Sequence, residues 1–533
     1  MNATVTVTTL LYLAVTAGLG YLGFKQTTNA KDYLLAGRKV HPVIMAISYG
    51  STFISTAAIV GFGGAAAVFG LGILWLTVLN IFLGIFIAFV VFGKRTRAMG
   101  HKLDAHTFPE FIGRRYESKF LQVASAALIF IGMPLYAGAV MLGGVSFLTV
   151  ALGLSQNMAL LTIVVIVGLY VMMGGMKGVL YTDAFQGGIM VLGMIVLLWF
   201  AYSGLGGVVS AHEQLTALAD KVPAALAAKG HRGWTAMPEL MSPLWWTLIS
   251  TVVLGVGIGV LAQPQLVVRF MTVKSDRELN RGVVIGGVFI MLMTGVAFIV
   301  GALSNVYFFN AAGKIAIAAA GAPDNVIPLF IKENMPEWYT AVFMITLLAA
   351  AMSTMSSQFH TMGSAIGHDI MEKGMGLKAE RPVRVIRLAM LAAIVITTAT
   401  AYYLPSFFKD GATIIVNGTS LFFGLCAGSF LAIYALGLFW TGVTRAGAHA
   451  GFFSGLAVSV VVLFFVFEKV SKPLGLCEAL FGVTSLGAGT PFKDVDPLVF
   501  AVPISLVLTV IVSALTAKPS AAHIAACFPD DRK

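Results

Sequence analysis

The sequence predicts an all-α polytopic membrane protein, and three observations carry the prediction. Of the 533 residues, 58% are hydrophobic and only 11% are charged, a balance no ordinary soluble domain shows. Windows of about twenty apolar residues recur from end to end, the length a helix needs to cross a bilayer. Lys and Arg gather in alternate connecting segments, as they do when loops alternate between the two sides of a membrane.

About thirteen spans are expected, beginning near Val5, His41, Leu71, Lys119, Asn157, Thr182, Pro243, Arg281, Trp338, Pro382, Gly411, Gly447 and Pro497. Met1 to Phe24 lacks a basic start and a small-residue cleavage site, so it reads as a retained first helix. The longer loops, 205–242 and 309–337, fall on one side, and the second is expected to carry a short surface helix.

A net charge of +11 could indicate nucleic acid, but its distribution points to topology. With the N-terminus outside, the segments around 25–39, 94–119, 177, 269–281, 373–387, 445 and 518–533 face inward. They hold 25 of the 34 Lys and Arg residues. This bias predicts a multi-pass protein of the cell (inner) membrane with its N-terminus outside and its C-terminus cytoplasmic. Nucleic acid is excluded as a partner, and no protein partner is required.

Two spans are unsuited to straight, lipid-facing helices. The second carries Ser48, Tyr49, Gly50, Ser51, Thr52, Ser55 and Thr56 at mid-depth, then Gly61, Gly63 and Gly64. The seventh carries Gly255, Gly257 and Gly259, then Gln263-Pro264-Gln265. Irregular backbone at that depth is tolerated only beside a cavity or inside protein. Two interrupted spans five helices apart indicate an inverted-repeat transporter with its site at the midplane. Glycines also tighten helix packing, which is the alternative reading.

In the ninth span Ala350, Ser353, Thr354 and Ser357 recur at spacings of three and four, so their oxygens share one helix face. Hydroxyls in a bilayer need partners, and oxygens bind hard cations, so this face suits sodium. Close helix packing would use the same residues. Asp183, at the expected start of the sixth span, is functional or a helix N-terminal carboxylate. His360 is a proton relay or a hydrogen-bonded structural histidine. Cys426, Cys477 and Cys527 form no metal or redox motif.

Enzyme and channel readings find little support. The chain has no paired metal-ligand histidine motif, nucleophile elbow or phosphate loop. It has no carbonyl-filter repeat or ring of charge either.

Several segments together resemble the solute:sodium symporter family. They are Asp32 to Arg38, Ser48 to Ser55, Thr107-Phe108-Pro109-Glu110-Phe111, Thr182-Asp183 with Gln186, Gln263-Pro264 before Arg269-Phe270, and Ala350 to Thr354 followed by Asp369-Ile370. The motifs run in order from about Tyr33 to Trp440 and are closest to those of the proline, pantothenate and monocarboxylate carriers. The resemblance implies a LeuT-like fold of two inverted five-helix repeats with flanking helices. The expected organisation is a first helix and cytoplasmic loop (1–40), a first repeat (41–204), an extracellular loop (205–242), a second repeat (243–440) and two final helices with a cytoplasmic tail (441–533).

It also implies site residues. The matching sodium ligands are the carbonyls of Ser51, Ile54 and Ala350 and the side-chain oxygens of Ser353 and Thr354. A second sodium would use Asp183, Ser353, Ser356 and Ser357, although Phe53 replaces a polar residue that some members have there. Positions aligned with substrate contacts are Phe53, Ala57, Ala58, Tyr136, Val256, Val260 and Gln263. The implied activity is sodium-coupled import of a small organic solute, a monocarboxylate, pantothenate-like acid or amino acid, by alternating access. Sodium is the only ion implied. The alternative is a proton-coupled symporter of the same fold, using Asp183 and His360.

Overall fold

The computed structural model describes residues 3–25, 27, 30–377, 382–407 and 414–528. Residues 378–381 of one expected basic loop, the Gly411 start of the eleventh span and the tail from 529 to 533 lie outside these. Among the described residues the chain is helical throughout apart from loops and an isolated bridge between Val40 and Val273. Eleven helices are long and apolar enough to cross a membrane. The difference from thirteen arises at two places. The first half of the second span is a 12-residue helix, and its second half is continuous in hydropathy with the third span over Ala57–Lys102. The fifth and sixth spans run on in one long helix, Gln156–Ser203, bent at Gly175.

The elements that build the interior follow in chain order. Helix α1 (Ala3–Lys25) precedes α2 (Pro42–Phe53), which starts with His41 as N-cap and Pro42 in its first turn. After a break come α3 (57–69) and, beyond a turn at Gly70, α4 (74–102). Helix α5 (Phe108–Arg115) is short and is capped by the Thr107 hydroxyl, which accepts the Glu110 amide at 3.0 Å. Helix α6 (Lys119–Leu152) leads to α7 (Gln156–Ser203).

Within α7 the expected loop between two spans is reduced to one residue. Gly175 adopts φ 56°, a left-handed conformation open to glycine, and the helix resumes at once. Asp183 therefore sits about two turns inside the second half of α7, not at a helix start. It is fully buried, which rules out the interfacial capping role.

Helix α8 (Pro243–Ala262) ends at Gln263, and Pro264 opens α9 (Pro264–Phe270). Then come α10 (Asp276–Ala312), α11 (Glu337–Gly374), α12 (Pro382–Phe407), α13 (Ile414–Phe439), α14 (Arg445–Val466) and α15 (Leu498–Leu515). Helix α11 is the centre. Its most apolar window is 83% buried, against 22% for α14, which turns most of its surface outward. It packs on α1, α2, α6, α7 and α12. The exposed Leu10, Leu11, Phe86, Leu192, Trp199 and Val395 are the apolar surface a bilayer would cover.

The glycines expected to interrupt the second and seventh spans stay helical and serve packing instead. A Cβ on Gly64 would collide with the Pro323 carbonyl, and one on Gly301 of α10 with the Gly63 carbonyl. The loop 309–337 holds two short helices, Ala316–Ala320 and Val326–Asn334. The second is no surface helix, since Val326, Ile327, Phe330 and Ile331 are buried.

Asp496, in the connection before α15, is 1% exposed. Burial pushes its carboxyl from 3.8 up to about 7, while the Leu498 amide, 3.0 Å from Oδ1, and the Lys469 charge offset part of that rise.

Candidate functional site

The break in α2 is made by Ile54, whose φ of −91° and ψ of 101° leave the helix. A helix end orphans its last carbonyls, and buried carbonyls need donors. Here α11 supplies them. The Ser353 hydroxyl donates to Ser51 O at 2.9 Å, and the Thr354 hydroxyl donates to Thr52 O at 3.0 Å and lies 3.4 Å from Ser51 O. Ser353 Oγ also lies 3.3 Å from Ala350 O. Ser51, Ile54, Ala350, Ser353 and Thr354 are all buried. Four of the five expected sodium ligands thus converge, and the fifth, Ile54, is the break itself.

A charged cluster adjoins this oxygen group. Asp183 Oδ2 accepts the Ser48 hydroxyl at 2.9 Å, the Thr52 hydroxyl at 3.1 Å and Arg269 Nη2 at 2.9 Å. Ser356 Oγ is 3.3 Å from Oδ1, and Ser357 Oγ is 3.4 Å from Oδ2. Arg269 also donates to the Thr52 and Ser357 hydroxyls at 2.6 Å each. The Ser51 hydroxyl donates to the Asp183 backbone carbonyl at 3.0 Å. The residues expected around a second ion are therefore neighbours, with a guanidinium among them.

Sequence reasoning placed Arg269 in a motif but gave it no role. Its position follows from local structure: Pro264 starts α9, the Thr272 hydroxyl donates to Arg269 O at 2.7 Å, and the Val40–Val273 bridge ties the chain beyond it to the start of α2. Gln186 donates to the Tyr12 hydroxyl at 3.0 Å. His360 Nε2 lies 3.0 Å from the Tyr33 carbonyl, with its ring stacked on Tyr33.

Beside the break lies a cavity of about 20 Å³, lined by residues that include Phe53, Ala58, Tyr136 and Val256 from the expected substrate positions. Ala57 and Val260 are buried but are not among its lining residues, and Gln263 bonds locally, to Gly259 O at 3.4 Å and to Gln265 at 3.2 Å. The lining adds Asn80, Thr294 and Thr419, which sequence reasoning missed. Both threonine hydroxyls bond a carbonyl of their own helix. Asn80 Oδ1 has no hydrogen-bond partner among the described residues. The cavity is far smaller than a usual small-molecule pocket, so an organic solute requires its walls to part.

Residues 33–455 match the sodium:solute symporter family. The sodium/proline symporters of Staphylococcus aureus strains JH9 and NCTC 8325 are 28% identical over 532 residues, covering 96% of this chain and 92% of theirs. The structure of a sodium-coupled sialic acid symporter superposes with a TM-score of 0.72 at 18% identity, covering 97% of this chain and 99% of that one. The chain is thus a multi-pass membrane transporter with a LeuT-like fold. It belongs to the sodium:solute symporter family, and its activity is sodium-coupled solute symport.

Proposed function

We propose that this symporter imports a small monocarboxylate, a pantothenate-like acid or an amino acid, with sodium held by the carbonyls of Ser51, Ile54 and Ala350 and the side-chain oxygens of Ser353 and Thr354. The observation that carries the sodium reading is the convergence of two α11 hydroxyls on the carbonyls exposed where α2 breaks. Neutral oxygens from two separate helices suit a hard monovalent cation. Sodium would bridge those helices, and loss of the bridge would accompany inward release.

The basic loops support an N-terminus outside and a cytoplasmic C-terminus. The two breaks, at Ile54 and at Gln263-Pro264, support repeats over 41–204 and 243–440. A second sodium at Asp183, Ser353, Ser356 and Ser357 would share its carboxylate with Arg269.

The solute class rests on the cavity. Phe53, Ala58, Phe62, Val256, Phe298 and Phe423 offer no hydrogen bonds, and the unpaired Asn80 oxygen would accept from an ammonium. A hexose would bring several hydroxyls, and each left without a partner costs on the order of 1–3 kcal/mol. Sodium-driven uptake into proteoliposomes tests the proposal, with proline, short monocarboxylates, pantothenate, glucose and galactose as solutes. One of the first three should accumulate and the sugars should not; sugar uptake would refute the solute class. In the same assay, Asp183→Asn should lower the sodium Hill coefficient toward one if a second ion binds.

A further inference from the structure

A second cluster of chemically capable side chains lies where α5 meets the end of α11, outside both the oxygen site and the solute cavity. His106 precedes α5, Glu110 lies in its first turn, and His368 lies near the end of α11. Glu110 Oε2 accepts the His106 amide at 2.9 Å and lies 3.3 Å from His106 Nδ1 and 3.1 Å from His368 Nε2. One donor atom from each of the three residues falls within 4.8 Å of the other two.

The surroundings orient these atoms. Arg114 donates to the other carboxylate oxygen of Glu110, Oε1, at 2.6 and 3.0 Å, leaving Oε2 to face the imidazoles. His368 Nδ1 lies 2.9 Å from Glu372 Oε2, and His106 Nε2 lies 3.7 Å from Asp104 Oδ1. A hydrogen-bonded carboxylate behind the ring is how proteins fix metal-binding imidazoles, and Glu372 supplies it for His368. A neutral imidazole has one N–H. If Glu372 takes that hydrogen, His368 turns a lone pair toward the Glu110 oxygen, and a cation between them satisfies both. Zinc bonds of about 2.0–2.1 Å in a tetrahedral set place donors about 3.3 Å apart. The two edges from Glu110 measure 3.3 and 3.1 Å, and the His106–His368 edge lies within 4.8 Å, so a small closing of the two rings completes the set.

We propose that His106, Glu110 and His368 bind a divalent transition-metal ion of the zinc class, bracing α5 against the end of α11 and slowing transport. Two imidazoles and a carboxylate suit zinc and leave a coordination position for water, whereas sodium and magnesium prefer oxygen donors. The joint is already narrow: the Thr107 hydroxyl and Gln122 Nε2 both donate to Asp369 Oδ1, at 2.7 and 2.8 Å. Helix α11 also carries Ser353 and Thr354, so restraining its end restrains the helix that must move away from α2.

The test uses the full-length protein with zinc chloride as probe. Bound zinc is counted by elemental analysis after dialysis, and sodium-driven uptake is followed in proteoliposomes with zinc on both sides. One zinc per chain and slowed uptake are expected. His106→Ala and His368→Ala should each lose both responses, and Glu372→Gln should weaken zinc binding about ten-fold. His449→Ala, at a histidine outside the cluster that bonds Ser118, should keep them. Should His368→Ala fail to fold, the half-buried His106 allows His106→Gln in its place. Zinc binding well below one per chain, or slowing that survives the loss of His106, overturns the proposal.

Discussion

Arg269 Nη2 lies 2.9 Å from Asp183 Oδ2, and the two side chains are 1% and 0% exposed. The pair joins α9 to α7 through a node that also holds Ser48, Thr52 and Ser357. Removing one partner strands a buried charge, which costs about 3–5 kcal/mol, whereas removing both costs far less. Arg269→Met should therefore lower the thermal midpoint sharply, and adding Asp183→Asn should recover most of the loss. Equal midpoints for the single and double variants would show that the pair is not coupled.

Ser353→Ala and Thr354→Ala each remove one side-chain oxygen from the proposed sodium site. Each should raise the half-saturating sodium concentration about ten-fold or more, at roughly 1.4 kcal/mol per decade. Ser51→Ala should change it less, because Ser51 contributes its backbone carbonyl and its hydroxyl bonds Asp183 O instead. Sodium titration of uptake in the three variants distinguishes these effects. Unchanged activation in both α11 variants would move the ion elsewhere.

Gly301→Ala drives a methyl group into the Gly63 carbonyl where α10 crosses α3. Overpacking of this kind costs roughly 1–3 kcal/mol. The variant should show a lower thermal midpoint, while Gly295→Ala on the same helix meets nothing within 4 Å and should not.

For Asp496 the folded carboxyl titrates near 7 against 3.8 in the free side chain. The folded state holds the proton more tightly, so the neutral form's stability is fully present below about pH 3.8 and lost as pH rises through about 7. The thermal midpoint should fall over that window relative to Asp496→Asn, whose amide oxygen can still accept the Leu498 N–H. Parallel pH profiles for the two proteins would contradict this.

Much of the architecture was legible because bilayer thickness imposes a length on every apolar run. The hydroxyl face of α11 was legible too, since spacings of three and four define a helix face whatever it meets. The break was legible only through the family resemblance, which put it within Ser48 to Ser55; local composition pointed further on. Gly61, Gly63 and Gly64 drew attention, yet the chain leaves the helix at Ile54, a residue with no intrinsic preference for doing so. The carbonyls there are satisfied by α11, and tertiary partners of that kind leave no local trace. The role of Arg269 and the His106–Glu110–His368 cluster were hidden for the same reason. Only the four-residue interval from His106 to Glu110 is visible in one dimension, and His368 arrives from a distant helix.

The Ser51 carbonyl receives the Ser353 hydroxyl hydrogen, while the Thr354 hydroxyl points its hydrogen at the neighbouring Thr52 carbonyl. The Ser353 hydrogen occupies a lone pair that a cation at the Ser51 oxygen would use. In the proposed site, loading therefore means that each hydroxyl reverses its electrical sense, turning its hydrogen aside and offering its oxygen. Such a turn shifts no backbone, so in the proposed site the ion can load by hydroxyl rotation alone, before any helix moves.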